Sequence, residues 1–460
     1  MHYIINRYYR MIGYRDLPYG LSNCYTGDSC FFTRAQYDLI RKCDGKTDLC
    51  EENLNESDHA FLEWLKSNFF VRTTDGEESL CEDQAYRLYP SIYKDSVHLS
   101  ITGSCNCRCR HCFVSSPHMK YPQLSLPDVI HILDQLEACG IQKIGLTGGE
   151  PLVHPDFLRI VEELCNRKLV LGTLYTNGLL LTEEILSFLK DHMQSPDIQI
   201  SFDGRNTHDW MRGIPDAEAK TISAIQRCVD HRFLTHVSMM LFRDNLDMLW
   251  ENICFVESLG ANSLKVNIVE NLGEWKAYQD THGIQREEAW EAYLNLIPKL
   301  LEKQPKLSIE LGGFLRYDPV KGVLPGTYEK PCRSNQASHF LLCGSLNTAL
   351  YINSDGRVSP CVTMLDSSGD FNRFNILKTP LQEILEEPDF TGVGRLTAEE
   401  YLQANETCRN CEYRYACLGG CRAKAALSGN GILGIDEEVC AFFKEGWKDR
   451  RNKRIASCKE

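Results

Sequence analysis

Three cysteines on one short segment are the residues of this chain best suited to metal chemistry. Cys105, Cys109 and Cys112 follow the apolar run Val97 to Ile101 almost directly. Three thiolates on one loop can hold three irons of a [4Fe–4S] cube and leave the fourth iron without a protein ligand. Such an iron can bind and reduce a ligand, whereas a cube with four cysteine ligands mostly carries electrons. The spacing therefore predicts a reactive iron–sulfur cluster, with a structural zinc loop as the alternative.

A glycine-rich turn follows the next strand-like run of the chain, Lys143 to Thr147. The turn and the cysteine loop together resemble the radical S-adenosylmethionine (SAM) superfamily. In that family the open iron chelates the amino and carboxylate groups of SAM, and a Gly-Gly-Glu-Pro turn helps to hold the amine. The resemblance implies two sets of residues: the cluster ligands Cys105, Cys109 and Cys112, and the SAM contacts Gly148, Gly149, Glu150 and Pro151.

Two further motifs lie at the ends of later strand-like runs. Asn177-Gly178 follows the third run, and Ser201-Phe202-Asp203-Gly204 follows the fourth and continues into His208-Asp209-Trp210-Met211-Arg212-Gly213. The last two sequences look like the peptide-modifying branch of radical SAM enzymes. The resemblance implies that Ser201 contacts polar groups of SAM, with Asn177 and Arg212 nearby. The alternative is that Asp-Gly is only a turn and His-Asp only a surface pair.

The C-terminal part of the chain carries a second system of cysteines. Their order resembles the seven-cysteine SPASM domain, which binds two auxiliary [4Fe–4S] clusters in its family. The resemblance implies a distal cluster held by Cys408, Cys411, Cys417 and Cys440, and a nearer cluster held by Cys343, Cys361 and Cys421.

The resemblance implies that the fourth ligand of the nearer cluster comes from upstream of the seven cysteines. Cys332, upstream of Cys343, is the candidate for this fourth position. If Cys332 does not bind, the nearer cluster has an open iron that could take a substrate thiolate. Considered without the rest of the chain, the paired cysteine spacings also fit structural zinc.

Strand and helix patterns alternate through residues 94–310, the part of the chain that carries the first cysteine loop. Six strand-like runs are each followed by a helical pattern, which predicts a parallel sheet with right-handed crossovers. Six units fit the α/β partial barrel of the radical SAM superfamily. The functional groups should lie at the C-terminal ends of the strands. Residues 311–460 would then form a bridging region and the SPASM domain.

Residues 1–93 precede the barrel and are rich in tyrosine and phenylalanine. A strand-like start, two capped helices and a hairpin near Asp75-Gly76 resemble the winged-helix recognition element of peptide-modifying enzymes. In those enzymes the leader of the precursor adds as a strand at an exposed sheet edge. The alternative is a small helical cap that only covers the barrel.

The composition limits the partners and the compartment. The chain of 460 residues has 43% hydrophobic and 25% charged residues, as ordinary globular proteins do. Its formal net charge of -13 argues against nucleic acid as the main partner. No apolar run of membrane-spanning length occurs and the N-terminus does not resemble a signal peptide. We therefore expect a cytoplasmic protein, in which the clustered spacings among the 22 cysteines favour iron–sulfur ligation over disulfides.

The resemblance also implies the reaction. The reduced first cluster would cleave SAM, and the resulting 5′-deoxyadenosyl radical would remove a hydrogen atom from an unactivated C–H bond. The auxiliary clusters would accept the electron left over when the product bond forms. We expect a maturase that installs cross-links in a ribosomally made precursor peptide, a thioether as first choice and a carbon–carbon bond as second. An electron donor such as flavodoxin or ferredoxin would reduce the enzyme.

Other functions fit parts of the pattern. A peptide epimerase or a sulfatase-type maturase that oxidises Cys or Ser would use the same radical. A carrier of electrons or a peptide-binding scaffold would not be an enzyme at all. The intact Gly148 to Pro151 turn argues against the last two, because neither needs a site for the amine of SAM. The sequence names no catalytic base.

Overall fold

The computed structural model describes residues 1–50, 53–365 and 373–458. Its strands are β1 His2–Ile5, β2 Tyr9–Gly13, β3 Gly20–Asn23, β4 Ser29–Phe31, β5 Asp44–Asp48, β6 Val71–Thr74, β7 Arg87–Leu88, β8 Ser96–Ser100, β9 Lys143–Thr147, β10 Val170–Thr176, β11 Asp197–Ser201, β12 Thr235–Leu241, β13 Ser263–Ile268, β14 Ser308–Leu311, β15 Leu315–Asp318, β16 Gly322–Pro325, β17 Ala349–Ile352 and β18 Val358–Ser359.

Helices connect and cover these strands. They are α1 Arg34–Arg41, α2 Glu56–Ser67, α3 Leu126–Ala138, α4 Phe157–Asn166, α5 Glu183–Asp191, α6 His208–Arg212, α7 Ala217–Asp230, α8 Arg243–Leu246, α9 Leu249–Ser258, α10 Gln279–His282, α11 Arg286–Lys303, α12 Gly344–Thr348, α13 Leu381–Ile384, α14 Pro388–Arg395, α15 Ala398–Ala404, α16 Glu406–Arg409, α17 Arg414–Cys417, α18 Arg422–Leu427, α19 Glu437–Lys444 and α20 Trp447–Ser457.

The six strands predicted for the barrel are present and are parallel neighbours in the order β8 to β13. Helix α3 shows why the elements form where the sequence predicts them. Ser125 accepts a hydrogen bond from the Asp128 backbone and begins the helix. The apolar residues at helical spacing then face the sheet and are fully buried, as expected: Val129, Ile132, Leu133 and Leu136. The partial barrel is confirmed.

The sheet continues beyond these six strands on both sides. Strand β14 is parallel to β13, and β15 and β16 follow as antiparallel neighbours. On the other side β17 is parallel to β8 and pairs with β18. The domain boundary expected at residue 310 therefore falls inside β14, because α11 is one more crossover helix that returns the chain to the sheet.

The two faces of the sheet differ in polarity. On β11 and β12, Ile198, Ile200 and Val237 are buried under the helices, while Gln199 and His236 lie on the opposite face. Successive side chains on a strand point to opposite faces. The helices thus cover the apolar face, and the polar face lines the inside of the partial barrel.

Residues before the barrel form two small sheets with α1 and α2. One has the strand order β4-β3-β2-β7 and the other β5-β1-β6. The hairpin expected near Asp75-Gly76 is not formed: β6 pairs antiparallel with β1 instead. Pairing with β1 buries Val71 against the core of this domain, which a solvent-exposed hairpin would not do.

This N-terminal domain docks on the barrel where the first strands begin. The Tyr14 hydroxyl donates to the Gly140 carbonyl (2.6 Å), and the Ser22 hydroxyl donates to the Gln142 side chain (2.9 Å). Gly140 and Gln142 lie just before β9. The N-terminal domain therefore contacts the end of the barrel opposite to the one that carries the cysteine loop.

Within the described ranges, no helix combines the length and the apolar character needed to cross a membrane.

The Tyr14 hydrogen bond gives a test of this docking. Tyr14→Phe should destabilise the fold by about 1–2 kcal/mol, because the buried Gly140 carbonyl loses its donor. Urea denaturation followed by fluorescence measures the change. Tyr25→Phe is the control, since Tyr25 is largely exposed, and it should shift the midpoint little. Equal midpoints for both variants would contradict the docking role of Tyr14.

Candidate functional site

The glycine turn lies against the beginning of the cysteine loop. The backbone N–H of Gly149 donates to the Thr102 carbonyl (2.8 Å), and that of Glu150 donates to the Ser104 carbonyl (2.9 Å). A Cβ atom on Gly149 would lie 2.3 Å from the Ser104 oxygen. A side chain at this position would therefore push the two segments apart, which explains the glycine.

Glu150 connects this turn to the end of β10. Its carboxylate is buried and accepts hydrogen bonds from the backbone N–H of Asn177 (2.7 Å) and the hydroxyl of Thr176 (2.8 Å). Burial raises the pKa of Glu150 to about 7, although both donors favour the ionised form. A nearby cation, such as the amine of SAM, would favour the ionised form further.

Asn177 lies between β10 and the cysteine loop. Its side-chain amide donates to the Asn106 side chain (2.7 Å) and is 3.9 Å from the Cys105 sulfur. The ends of β9 and β10 thus meet beside the first cysteine, as the motif analysis expects for residues near SAM. Ser201 ends β11 and is in register with Ser238 of β12 on the polar face.

Helix α6 is held beside the cysteine loop by a buried ion pair. The Arg212 guanidinium lies 2.8 Å from the Asp203 carboxylate, and both side chains are buried. Burial alone would raise the pKa of Asp203, but the attraction of Arg212 outweighs it and the pKa is lowered. The backbone N–H groups of Arg108 and Arg110 donate to the last carbonyls of α6, at 2.9 Å each.

The same arginine reaches the second cysteine. The Arg212 side chain is 3.6 Å from the Cys109 sulfur. A hydrogen bond from Cys107 and the positive charge of Arg212 outweigh burial and lower the pKa of Cys109 to about 5. Burial raises the pKa of Cys112 to about 11, while the Ser116 backbone N–H donates to its sulfur (3.3 Å).

The importance of Asp203 was not predicted from the sequence. It was identified only as the turn residue of the Ser-x-Asp-Gly motif. In the structure it accepts from the backbone N–H of Met240 (3.0 Å), pairs with Arg212 and lies 3.9 Å from His111 of the cysteine loop. The sequence did contain a signal for this pair. Asp203 lies on the turn after a strand, and Arg212 lies nine residues later on the next helix, so the carboxylate and the guanidinium can meet.

Four C-terminal thiols surround one small cavity. Cys408, Cys411, Cys417 and Cys440 all line it. Burial raises the pKa of Cys417 to about 12, with smaller contributions from the other three cysteines. The Tyr401 hydroxyl is 3.1 Å from the Cys408 sulfur. The fold thus brings together the four residues expected for the distal cluster, although they span more than thirty positions of the chain.

The cysteines expected for the nearer cluster also lie close together. Burial raises the pKa of Cys361, and the neighbouring Cys421 and Cys343 contribute in the same direction. Cys332 is buried in a different group of side chains, which includes Leu342, the residue before Cys343. Its role as fourth ligand stays a prediction.

A cleft of about 460 Å³ separates the barrel from the C-terminal segment. Cys421 lines it from the C-terminal side, and Asn267 and Glu270 line it from the end of β13. Lys424 bridges the two sides, since its ammonium is 2.6 Å from Glu270 and 2.6 Å from Glu438 of α19. The arrangement provides a substrate-sized space beside the thiols of the nearer cluster.

The donor sets fit iron–sulfur clusters. The first loop offers the three expected thiols and a fourth, Cys107, and the distal C-terminal group places four thiols around a largely apolar cavity. In residues 1–50, 53–365 and 373–458, no group of three or more Cys, His, Asp or Glu side chains is arranged to hold a single metal ion.

Comparison with known families agrees with this geometry. Residues 99–256 match the radical SAM superfamily, and residues 343–412 match the SPASM iron–sulfur cluster-binding domain. The chain thus contains a radical SAM domain followed by a SPASM domain. Its cofactors are a SAM-binding [4Fe–4S] cluster, SAM and the auxiliary clusters of the SPASM domain.

Individual relatives are more distant. The chain is 25% identical to the antilisterial bacteriocin subtilosin biosynthesis protein AlbA of Bacillus subtilis, over 71% of this chain and 67% of AlbA. It is 26% identical to the AdoMet-dependent heme synthase of Methanosarcina barkeri, over 76% of this chain and 96% of the synthase. Among solved structures, SuiB of Streptococcus suis bound to S-adenosylmethionine has the same fold, with a TM-score of 0.64, 12% identity, and coverage of 95% of this chain and 99% of SuiB.

The close approach of Gly149 to the cysteine loop can be tested directly. Gly149→Ala should abolish SAM binding and lower the iron content of the reconstituted protein, because the added methyl group displaces the loop from the turn. Isothermal titration with SAM and iron analysis measure both. Gly392→Ala is the matched control, since a Cβ atom there meets nothing within 4 Å and helix α14 accepts alanine. SAM binding by Gly149→Ala at the control's affinity would refute the argument.

The four-thiol cavity predicts a separable cluster. Cys440→Ala should remove the distal cluster alone, because Cys440 lines the distal cavity and is not among the ligands expected for the other two clusters. The iron content should fall by about four atoms per chain, the iron of one [4Fe–4S] cluster. The electron paramagnetic resonance spectrum of the reduced protein should lose one component. Cys254→Ala, which changes a cysteine outside all three groups, should keep the full iron content. Full iron content in Cys440→Ala would exclude Cys440 as a ligand.

Proposed function

We propose that this enzyme removes a hydrogen atom from a ribosomally made precursor peptide and installs cross-links, a thioether as first choice and a carbon–carbon bond as second. The observation that carries the proposal is the cleft of about 460 Å³ between the barrel and the cysteines of the nearer cluster. A peptide segment in this cleft lies within reach of both the barrel site and the Cys421 side. Relatives named as a bacteriocin biosynthesis protein, a PqqA peptide cyclase and a sporulation killing factor maturation protein support the same class of substrate.

The chain's own residues would position and shield the reaction. The bound cluster and SAM supply the radical that removes the hydrogen atom. Glu150 and Asn177 hold the strand ends where SAM would bind, and the Asp203–Arg212 pair keeps α6 against the cysteine loop. Lys424 joins the two walls of the cleft and so limits the access of water to it.

The N-terminal domain would bind the leader of the precursor. Among the residues that the structure describes, strand β4 is an end strand of its sheet and pairs with β3 alone. The Phe32 N–H donates to Tyr19 and the Asp28 carbonyl accepts from Asn23. Bonds in an antiparallel pair alternate along the strand, so the backbone groups of Ser29 and Phe31 point to the outer edge. A leader can add there as one more strand.

A second candidate substrate is a tetrapyrrole-like small molecule. The nearly full-length match to the heme synthase of Methanosarcina barkeri favours it. The N-terminal domain, with its open strand edge, favours the peptide. Epimerisation and oxidation of Cys or Ser are further outcomes of the same hydrogen removal on a peptide.

Mass analysis of a precursor tests the function. A short reading frame beside this gene would be co-expressed with the enzyme without oxygen, and its product would be alkylated at free thiols. A loss of two hydrogens per link with fewer alkylated thiols indicates thioethers. The same loss with all thiols free indicates carbon–carbon or carbon–oxygen links. An unchanged mass with deuterium uptake in heavy water indicates epimerisation, and no change with any neighbouring precursor contradicts the peptide proposal.

The strand edge has its own prediction. Ser29→Pro should weaken binding of a fluorescent leader peptide at least tenfold, because proline removes the outward N–H without changing the pairing with β3. Ser29→Ala is the control: it loses the same hydroxyl but keeps the N–H, and should bind as the wild type does. Fluorescence anisotropy measures both affinities. Equal binding by the two variants would show that the leader does not add at β4.

A further inference from the structure

The N-terminal domain and the reactive site lie at opposite ends of the barrel strands. The domain contacts Gly140 and Gln142, before β9, while the cysteine loop and the glycine turn follow β8 and β9. Strands of five to seven residues separate these ends. At about 3.3 Å per residue, a bound precursor must cross roughly 17–23 Å to reach the site.

A polar groove lies on the inside of the barrel, over strands β11 to β16. Its first row crosses four strands in register: Gln199, His236, Ser263 and Ser308. Its next row lies one step closer to the site: Ser201, Ser238, Lys265, Glu310 and Arg316. A cavity of about 360 Å³ lies over these strands and is lined by members of both rows.

The chemistry of the groove fits an extended polar peptide. The Ser, Gln and His side chains can donate to and accept from a peptide backbone. The charges largely balance within the groove, where Lys265 lies 3.6 Å from Glu310, so no strong net charge is required of the occupant. The second row also includes Ser201, one of the residues expected to contact SAM, so polar side chains continue from the groove toward the reactive end of the barrel.

We propose that the precursor passes through this groove, with the segment between its leader and its modified core extended along the inner face of β11 to β14. The inference rests on the proposed function, since it requires a peptide substrate. While the leader is bound to the N-terminal domain, the rest of the precursor would pass along the inside of the barrel, and its core would reach the cleft. The occupant is a polar, extended segment without strong net charge.

Photo-crosslinking with the unaltered enzyme tests the route. A precursor carrying photo-leucine at single positions of its linking segment is bound, irradiated and digested, and the adducts are mapped by mass spectrometry. Adducts on the peptides that contain His236, Lys265 and Ser308 are expected. Adducts confined to the outer helices would overturn the proposal.

A blocking variant gives an independent measure. Ser308→Tyr places a ring in the groove and should lower the rate of precursor modification at least tenfold, while binding of the isolated leader is unchanged. Ser187→Tyr on the exposed side of α5 is the matched control and should modify at the wild-type rate. If Ser308→Tyr modifies as fast as the control does, the route is wrong although the function stands. If the wild-type enzyme modifies no precursor, the proposed function itself fails.

Discussion

The reactive end of this enzyme depends on the attachment of one cysteine loop to the ends of several strands. The loop has little regular structure of its own, so its position comes from its neighbours. The backbone of Gly149 and Glu150 bonds to its beginning, and Asn177 holds Asn106. The buried Asp203–Arg212 pair fixes α6 against its middle. Breaking a buried pair by removing one partner leaves an unpaired charge and is costly, so these two residues hold the loop strongly.

The same principle joins the C-terminal cysteines to the barrel. Strand β17 extends the barrel sheet beside β8, the strand that leads into the cysteine loop. Lys424 connects α18 to Glu270 at the end of β13. The Asp436 carboxylate accepts from the backbone N–H of Cys421 (3.0 Å) and so holds the beginning of α18. A continuous sheet and a few buried polar contacts thus place the second thiol system across the cleft from the first.

Regular periodicity explains which elements were predictable. The six barrel strands and the buried face of α3 follow from local apolar patterns, which neighbouring residues determine. Strand β14 at residues 308–311 and its neighbours were missed because they are short and depend on pairing with β13, far away in the sequence. The hairpin expected near Asp75-Gly76 was wrong for the same reason: β6 pairs with β1, which is distant in the sequence.

The sequence by itself determined the chemistry that is available: the number of thiols, their spacing and the glycine turn. The spacing of ligands on one loop is a local property, so the amino-acid sequence alone shows it. Only the tertiary structure decided which groups meet. It gave Asp203 its buried partner and placed the N-terminal domain at the far end of the strands. These outcomes depend on long-range packing and burial, which no local pattern contains.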